Sequence, residues 1–487
     1  MLAINRQLEM TEFGGLYDRI VPEDHILRRI KDEIDFSFVN PMLTKSYCEA
    51  FGRPAKEPEM MFKLLFLKKL YDLSDAALMD SANVNMAYKY FLDVNPEAGM
   101  PDSSLLTKFR KLRLTEDILS DLLKETVRQA IEKGLIKSGS IIVDSTHIRS
   151  LAGKETPTAA LRRMSKELRR EIYQTQYDLS DKFPEKPGET ADLAEEISYS
   201  GALLEAVRHD VEKSGSEKAR RLLDALSEAY GIAQNAGTQS LTDPDAKVGF
   251  KSENNSFFGY KAHIAITEER IVTGLEVTGG NRNDGAELQN LAEQSTDNGV
   301  AVTEIIGDKA YSSRENIEYA QSRGAKLISA LHPVVSNGKR TGDDGFQFNK
   351  DADRMQCPAG HLANKKKLEH RGMDRNDRMK YWWDATLCRA CPLRETCLKP
   401  GAKSRTYSVT ILGDTHAAQK EFQETEYFKS RMKERYMIEA KNSELKHSHG
   451  LARADSVGLA AVRLQTYLTV FAANIKRIVR LSAPTPA

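Results

Sequence analysis

Cysteine is scarce in this chain, with 5 residues in 487, and four of them fall between 357 and 397. That distribution speaks against a disulfide scaffold. Apolar runs of the roughly 20 residues needed to cross a bilayer are also missing. The first fifteen residues, MLAINRQLEMTEFGG, have neither the charged-then-apolar layout nor the cleavage site of a secretion signal, so a cytoplasmic protein is expected. Net charge is nearly absent, at +1, which argues against a chain coated evenly in nucleic acid. What remains is ordinary for a globular protein: 40% hydrophobic and 29% charged residues, in a chain long enough for two to four domains.

The balance of charge hides its distribution. Residues 429–480 hold eleven Lys and Arg against four acids, a local field that attracts phosphates. A solvated helical surface is the plainer account of such a run. Within it, a helix expected from 427 to about 447 carries Arg435, Glu439 and Lys446 at spacings of four and seven, so the three share one face. Alone, Arg435 and Glu439 would amount to a surface pair contributing about 0.2–0.5 kcal/mol.

Two further acids give that helix a context. Residues 17–135 read as helices, among them MMFKLLFLKKLYDL and DILSDLLKETVRQAIEKG; PDSS at 101–104 looks like a capped helix start. This region suits either DNA binding or packing on the core or a second subunit. At Gly139 the pattern becomes GSIIVDSTHIRS, a buried strand with Asp144 in its middle. A carboxylate there is costly unless it binds a cation, pairs with a buried base or caps a turn. Residues 151–247 return to charged helices, an inserted hairpin or small subdomain. SFFGYKAHIAIT and RIVTGLEVTGG then form a hairpin turning at Glu268-Glu269, and Asn283-Asp284 starts a short helix. VAVTEIIGDKAY is a strand ending at Asp308; a helix and the strand AKLISALHP follow. That order is the order of a ribonuclease-H-like α/β core. Its first and fourth strands are neighbours, which brings Asp144 and Asp308 together across 164 positions.

Three carboxylates on two strands and a helix can hold hard divalent ions such as Mg²⁺ or Mn²⁺. Two such ions activate an attacking oxygen and stabilise a leaving one at phosphorus. Asp144 is the bridging candidate, Asp308 and Glu439 the flanking ligands, and Lys446 and Arg435 are placed to grip DNA phosphates, Arg435 alternatively orienting Glu439.

With VDSTHIRS, TDPDAK (242–247), FGYKAHIAIT, VTGGNRND, GDKAYSSREN and the Arg435, Glu439, Lys446 series in this order, the chain resembles the DDE transposases of bacterial insertion sequences. The resembling branch has a helical N-terminal domain and a cysteine-rich insertion before the catalytic glutamate helix. The likeness runs from about 24 to about 480; where the family has a tyrosine, this chain has Met432. The resemblance implies an enzyme that binds terminal inverted repeats, hydrolyses one strand to free a 3′-hydroxyl and joins it to target DNA. It also implies at least a homodimer and no covalent protein–DNA intermediate.

Cys357 comes first in the cysteine group, then Cys388, Cys391 and Cys397. Four thiolates in two clusters suit structural zinc, with His361 able to replace one; free thiols and an iron–sulfur cluster are the alternatives. Cys48 reads as a core residue. The basic stretch between the clusters and the pair Trp382-Trp383 suit either DNA contact or packing near the metal. The expected organisation is a helical domain at 1–135, a split core at 136–150, 246–334 and 421–482, a helical insertion at 151–245 and a zinc-bearing insertion at 335–420. Rival readings are a DNA-binding protein without catalysis and a stand-alone metal-dependent nuclease.

Overall fold

Gly139 starts the central strand because nothing larger fits: a Cβ there would lie 2.3 Å from the Ala301 carbonyl oxygen. From it runs β1 (Ser140–Arg149), buried along nearly its whole length. The computed structural model describes residues 13, 15–47, 55–153, 155–235, 239–252, 254–331, 344–370, 378–410 and 414–483. Cys48, Arg371 and Arg375 lie outside them.

The main sheet adds β2 (Lys247–Ser252), β3 (Asn255–Thr267), β4 (Val272–Gly279), β5 (Glu304–Ile306) and β6 (Lys326–Ile328). β3 pairs antiparallel with β1 from Ile141 opposite Thr267 to Arg149 opposite Gly259, and its other edge carries β4 and β2. β5 lies parallel to β1, and β6 parallel to β5. The order β4–β3–β1–β5–β6 is that expected of a ribonuclease-H-like core, with the first strand beside the fourth of that series. Arg270, at φ +64°, makes the turn between β3 and β4.

Several local expectations need correction. β2 was not foreseen; it extends the sheet beside the N-terminal end of β3. β5 stops at Ile306, so Asp308 lies just past the strand, as N-cap of a short 3-10 turn whose Ala310 N–H it accepts. β6 covers only three residues of AKLISALHP, the length of the β5 strand it pairs with, and the Leu327 and Ser329 carbonyls accept from the Gln419 side chain. The capped start expected at 101–104 is present: the Asp102 carboxylate accepts the Ser104 N–H of the helix Ser104–Arg113, while Ser103 makes no side-chain cap. Among the described residues, the insertion before β2 holds three α-helices, Pro157–Thr175, Leu193–Ser214 and Glu217–Ala233, and a 3-10 helix, Tyr177–Lys182, around their own apolar cluster. The helix expected from 427 is two, Glu426–Met432 and Tyr436–Ser448 (the site helix), separated by one 3-10 turn. No Pro or Gly at 432–436 marks that break.

The N-terminal helices share a cluster with the C-terminal helix Leu459–Ser482, whose Phe471, Ile475 and Ile478 enter it. Their central helix, Pro58–Leu70, is buried on nearly every side, Lys63 and Lys69 included. The C-terminal helix also holds the sheet, since Asn474 exchanges two 2.8 Å hydrogen bonds with the backbone of Val272. Beyond β6, β7 (Gln347–Asn349) and β8 (Arg354–Gln356) form a two-stranded hairpin, with a bridge from Gln356 to Leu362. A three-stranded sheet follows, from β9 (Lys365–Glu369), β10 (Arg378–Trp382) and β11 (Thr406–Thr410). No described helix is long and apolar enough to cross a membrane.

Candidate active site

β1 carries Asp144 in a run of β-branched residues, and the parallel pairing of β5 leaves Asp308 at the same end of the sheet. Both reach one cation, the ammonium of Lys350 from the β7–β8 turn. Lys350 Nζ lies 2.9 Å from Asp144 Oδ1, 2.9 Å from Asp308 Oδ2 and 3.0 Å from Asp284 Oδ2. Asp284, just after β4, is almost completely buried; its other oxygen accepts from Lys261 Nζ at 2.9 Å. His263 Nδ1 stands 3.6 Å from that oxygen, and its Nε2 is 2.9 Å from Thr278 Oγ1.

The electrostatics follow from burial and count. Three carboxylates meet two ammonium groups, one negative charge over. Burial would strip Lys350 of its proton, but Asp284, Asp144 and Asp308 outweigh it and hold the ammonium well above its usual range. Asp284 is also desolvated, yet Lys261 and Lys350 pull its carboxyl well below the usual value. Asp144 goes the other way: burial, with Asp308 and Asp284 adding repulsion, raises it against the attraction of Lys350. His263, fully buried, is lowered to about 4, so it is neutral at physiological pH. Above this group Tyr311 is fully buried, its ring centroid 6.0 Å from Lys350 Nζ and its hydroxyl without a hydrogen-bond partner.

The site helix supplies the next contacts. Asn442 Nδ2 is 3.4 Å from Asp144 Oδ2, and Lys446, half-buried on the same face, feels Lys251, Asp144 and Arg149. Glu439 is one turn earlier on that face, exposed, and paired with Arg435 at 3.2 Å. The structure therefore brings Asp144 and Asp308 together at Lys350, places Lys446 on the helix face that Asn442 turns toward Asp144, and leaves Glu439 outside the group that Lys350 joins. Among the described residues, no three His, Cys, Asp or Glu side chains already form a metal cage; an ammonium stands between the aspartates instead. Asp284, Lys350, Lys261 and Asn442 were not singled out from sequence as site residues. Asp284 had a signal, as the acid following the third core strand, and Asn442 as the residue three beyond Glu439.

The cysteines meet elsewhere. Cys357 follows β8, Cys388 and Cys397 sit on the short helices Ala385–Arg389 and Arg394–Cys397, and Cys391 lies between them. With His361 and Trp383 all four line one cavity of about 30 Å³. Burial pushes the Cys357 and Cys397 thiols up, and neighbouring cysteines push the same way. Trp383 is buried against Phe346 and donates to the His361 carbonyl at 2.9 Å, so it packs beside the cysteines.

Comparison with known proteins places two regions. A transposase domain (DUF772) matches residues 16–112, the N-terminal helices, and a transposase DDE domain matches 356–479, from the cysteines through the site helix. No curated protein and no solved structure matches the chain. The second match takes in Glu439 but not the two strand aspartates. Two transposase domain models matching in this order, beside a sheet of ribonuclease-H-like strand order, support an insertion-sequence DDE transposase.

Proposed function

We propose that this transposase binds the terminal inverted repeats of its element and performs metal-dependent strand cleavage and strand transfer. The observation carrying this reading is the convergence of Asp144, on β1, and Asp308, just past the adjacent parallel β5, on a single cation. That donor set fits a hard divalent ion, because carboxylate oxygens already hold a positive charge between them. Mg²⁺ or Mn²⁺, two ions in the full site, would supply Lewis acidity at phosphorus and a more acidic attacking hydroxyl. Asp144 and Asp308 would hold them from the sheet and Glu439 from the site helix. Lys446, beside Asp144, would bind a backbone phosphate, and Arg435 would bind DNA while fixing Glu439. The Lys- and Arg-rich stretch at 429–480 supports double-stranded DNA as the partner.

The same reading assigns zinc to Cys357, Cys388, Cys391 and Cys397, supported by four soft donors lining one cavity. It divides the chain at the boundaries expected from sequence, with a homodimer or larger assembly acting on the nucleoid in the cytoplasm.

The test incubates purified protein with Mn²⁺ and a duplex carrying the element's end, beside Asp144→Ala, Asp308→Ala and Glu439→Ala. Cleavage at the element boundary is expected, falling at least ~100-fold in each variant. Binding without cleavage would favour a DNA-binding protein alone, and cleavage without joining a nuclease. Activity surviving all three substitutions would place the site elsewhere. Metal analysis of the same protein is expected to find zinc, and its absence would leave the cysteines as thiols.

A further inference from the structure

We propose that Asp284 is a third carboxylate of the cation site and that Lys350 is its resident counter-ion, which a divalent metal must displace to bind. The inference rests on the proposed function and concerns how its site is filled. Lys350 Nζ sits within 3.0 Å of one oxygen from each of Asp144, Asp284 and Asp308, the space a metal ion would share. Those contacts keep the carboxylates apart around an ammonium, and a second cation cannot enter beside it without strong repulsion.

A second observation points to a ligand. The Tyr311 hydroxyl is fully buried, has no hydrogen-bond partner, and feels Asp284, Lys350, Asp144 and Asp308. Leaving such a group unsatisfied is costly, so it is suited to meeting a metal's water once the ammonium leaves. The turn that carries Lys350 leaves one contact loose. Its hairpin has three-residue strands anchored on the side of β8, where Gln356 bridges to Leu362, but beside Lys350 the Asp351 carboxylate reaches His147 Nε2 only at 3.5 Å, too long for a good hydrogen bond. Lys261 bonds the other Asp284 oxygen at 2.9 Å and the Arg282 carbonyl at 3.0 Å, so Asp284 keeps a partner when Lys350 leaves.

The experiment measures Mn²⁺ binding by titration calorimetry to the full chain, to Lys350→Met, and to Lys350→Met combined with Asp284→Asn. Lys350→Met is expected to bind at least ~10-fold more tightly than the parent, and the added Asp284→Asn to lose most of that gain. In parallel, amine acylation of the unaltered protein, followed by mass spectrometry, is expected to modify Lys350 faster when Mn²⁺ is present. That second readout stands even where a variant fails to fold. Equal Mn²⁺ affinity in parent and a folded Lys350→Met would overturn the proposal. So would Mn²⁺ binding that leaves Lys350 equally protected. Cleavage with unchanged metal affinity would sink this inference while leaving the proposed function intact. Tighter metal binding without cleavage would do the reverse.

Discussion

His449 is where the site helix meets the N-terminal helices. Its Nδ1–H donates to the Lys69 carbonyl at 2.8 Å, and its Nε2 is buried without a partner. Burial lowers its pKa despite the opposing hydrogen bond to Lys69. The sign follows from linkage: as pH drops through the ordinary histidine value, the unfolded chain takes up a proton that the folded chain resists. Stability from this residue is therefore intact above about pH 6.5 and lost below it. His449→Gln keeps a donor for Lys69 but cannot titrate. It is expected to show a smaller fall in urea midpoint between about pH 7.5 and pH 5.5 than the parent. An equal fall in both proteins would assign the acid sensitivity to other residues.

At the scale of elements, the exit from the site helix is as constrained as its face. Gly450 has φ +72°, and a Cβ there would meet Asp72 Oδ1 at 2.0 Å. Leu451 N–H then returns to the Leu445 carbonyl at 3.0 Å. Gly450→Ala is expected to cost ~1–3 kcal/mol through this strain, read as a lower midpoint in urea unfolding. A loss below ~0.5 kcal/mol would mean that Asp72 simply swings away.

What the sequence revealed also sorts by element. Asp144 and Asp308 were legible because each interrupts or closes a run of β-branched residues, and strand order then made them neighbours. Asp284 looked like an ordinary helix start, since Asn followed by Asp is a common cap; the side chains of Lys261 on β3 and of Lys350 reveal its charge role. Lys350 gave no signal. It lies in QFNKDADRMQ, a run without apolar periodicity, and its partners are 42, 66 and 206 positions away. The break before Tyr436 was equally silent, lacking Pro or Gly.

Across the whole molecule, the C-terminal helix joins what sequence separates. Phe471 packs against Phe62, Phe66 and Phe36 at centroid distances of 5.0, 6.1 and 6.2 Å, while the same helix buries Val462, Val470 and Ala473 against the sheet core. Arg463 adds bonds of 2.6 Å to Glu116 and to Glu276. Phe471→Ala is expected to destabilise the protein by ~3–5 kcal/mol. Circular dichroism in denaturant should show the helical cluster melting ahead of the sheet. One unchanged transition would show that the two clusters do not share this helix energetically.

That shared helix gives the protein a schedule during synthesis. The pocket formed by Phe36, Phe62 and Phe66 is made early, but the side chain that fills it emerges from the ribosome 405 residues after Phe66. At about 5–20 residues per second the interval is roughly 20–80 s. Through that interval the aromatic surface must be sheltered by chaperones or by provisional packing, and the aspartates of the sheet wait, translated and unsupported, for the segment that locks them in place.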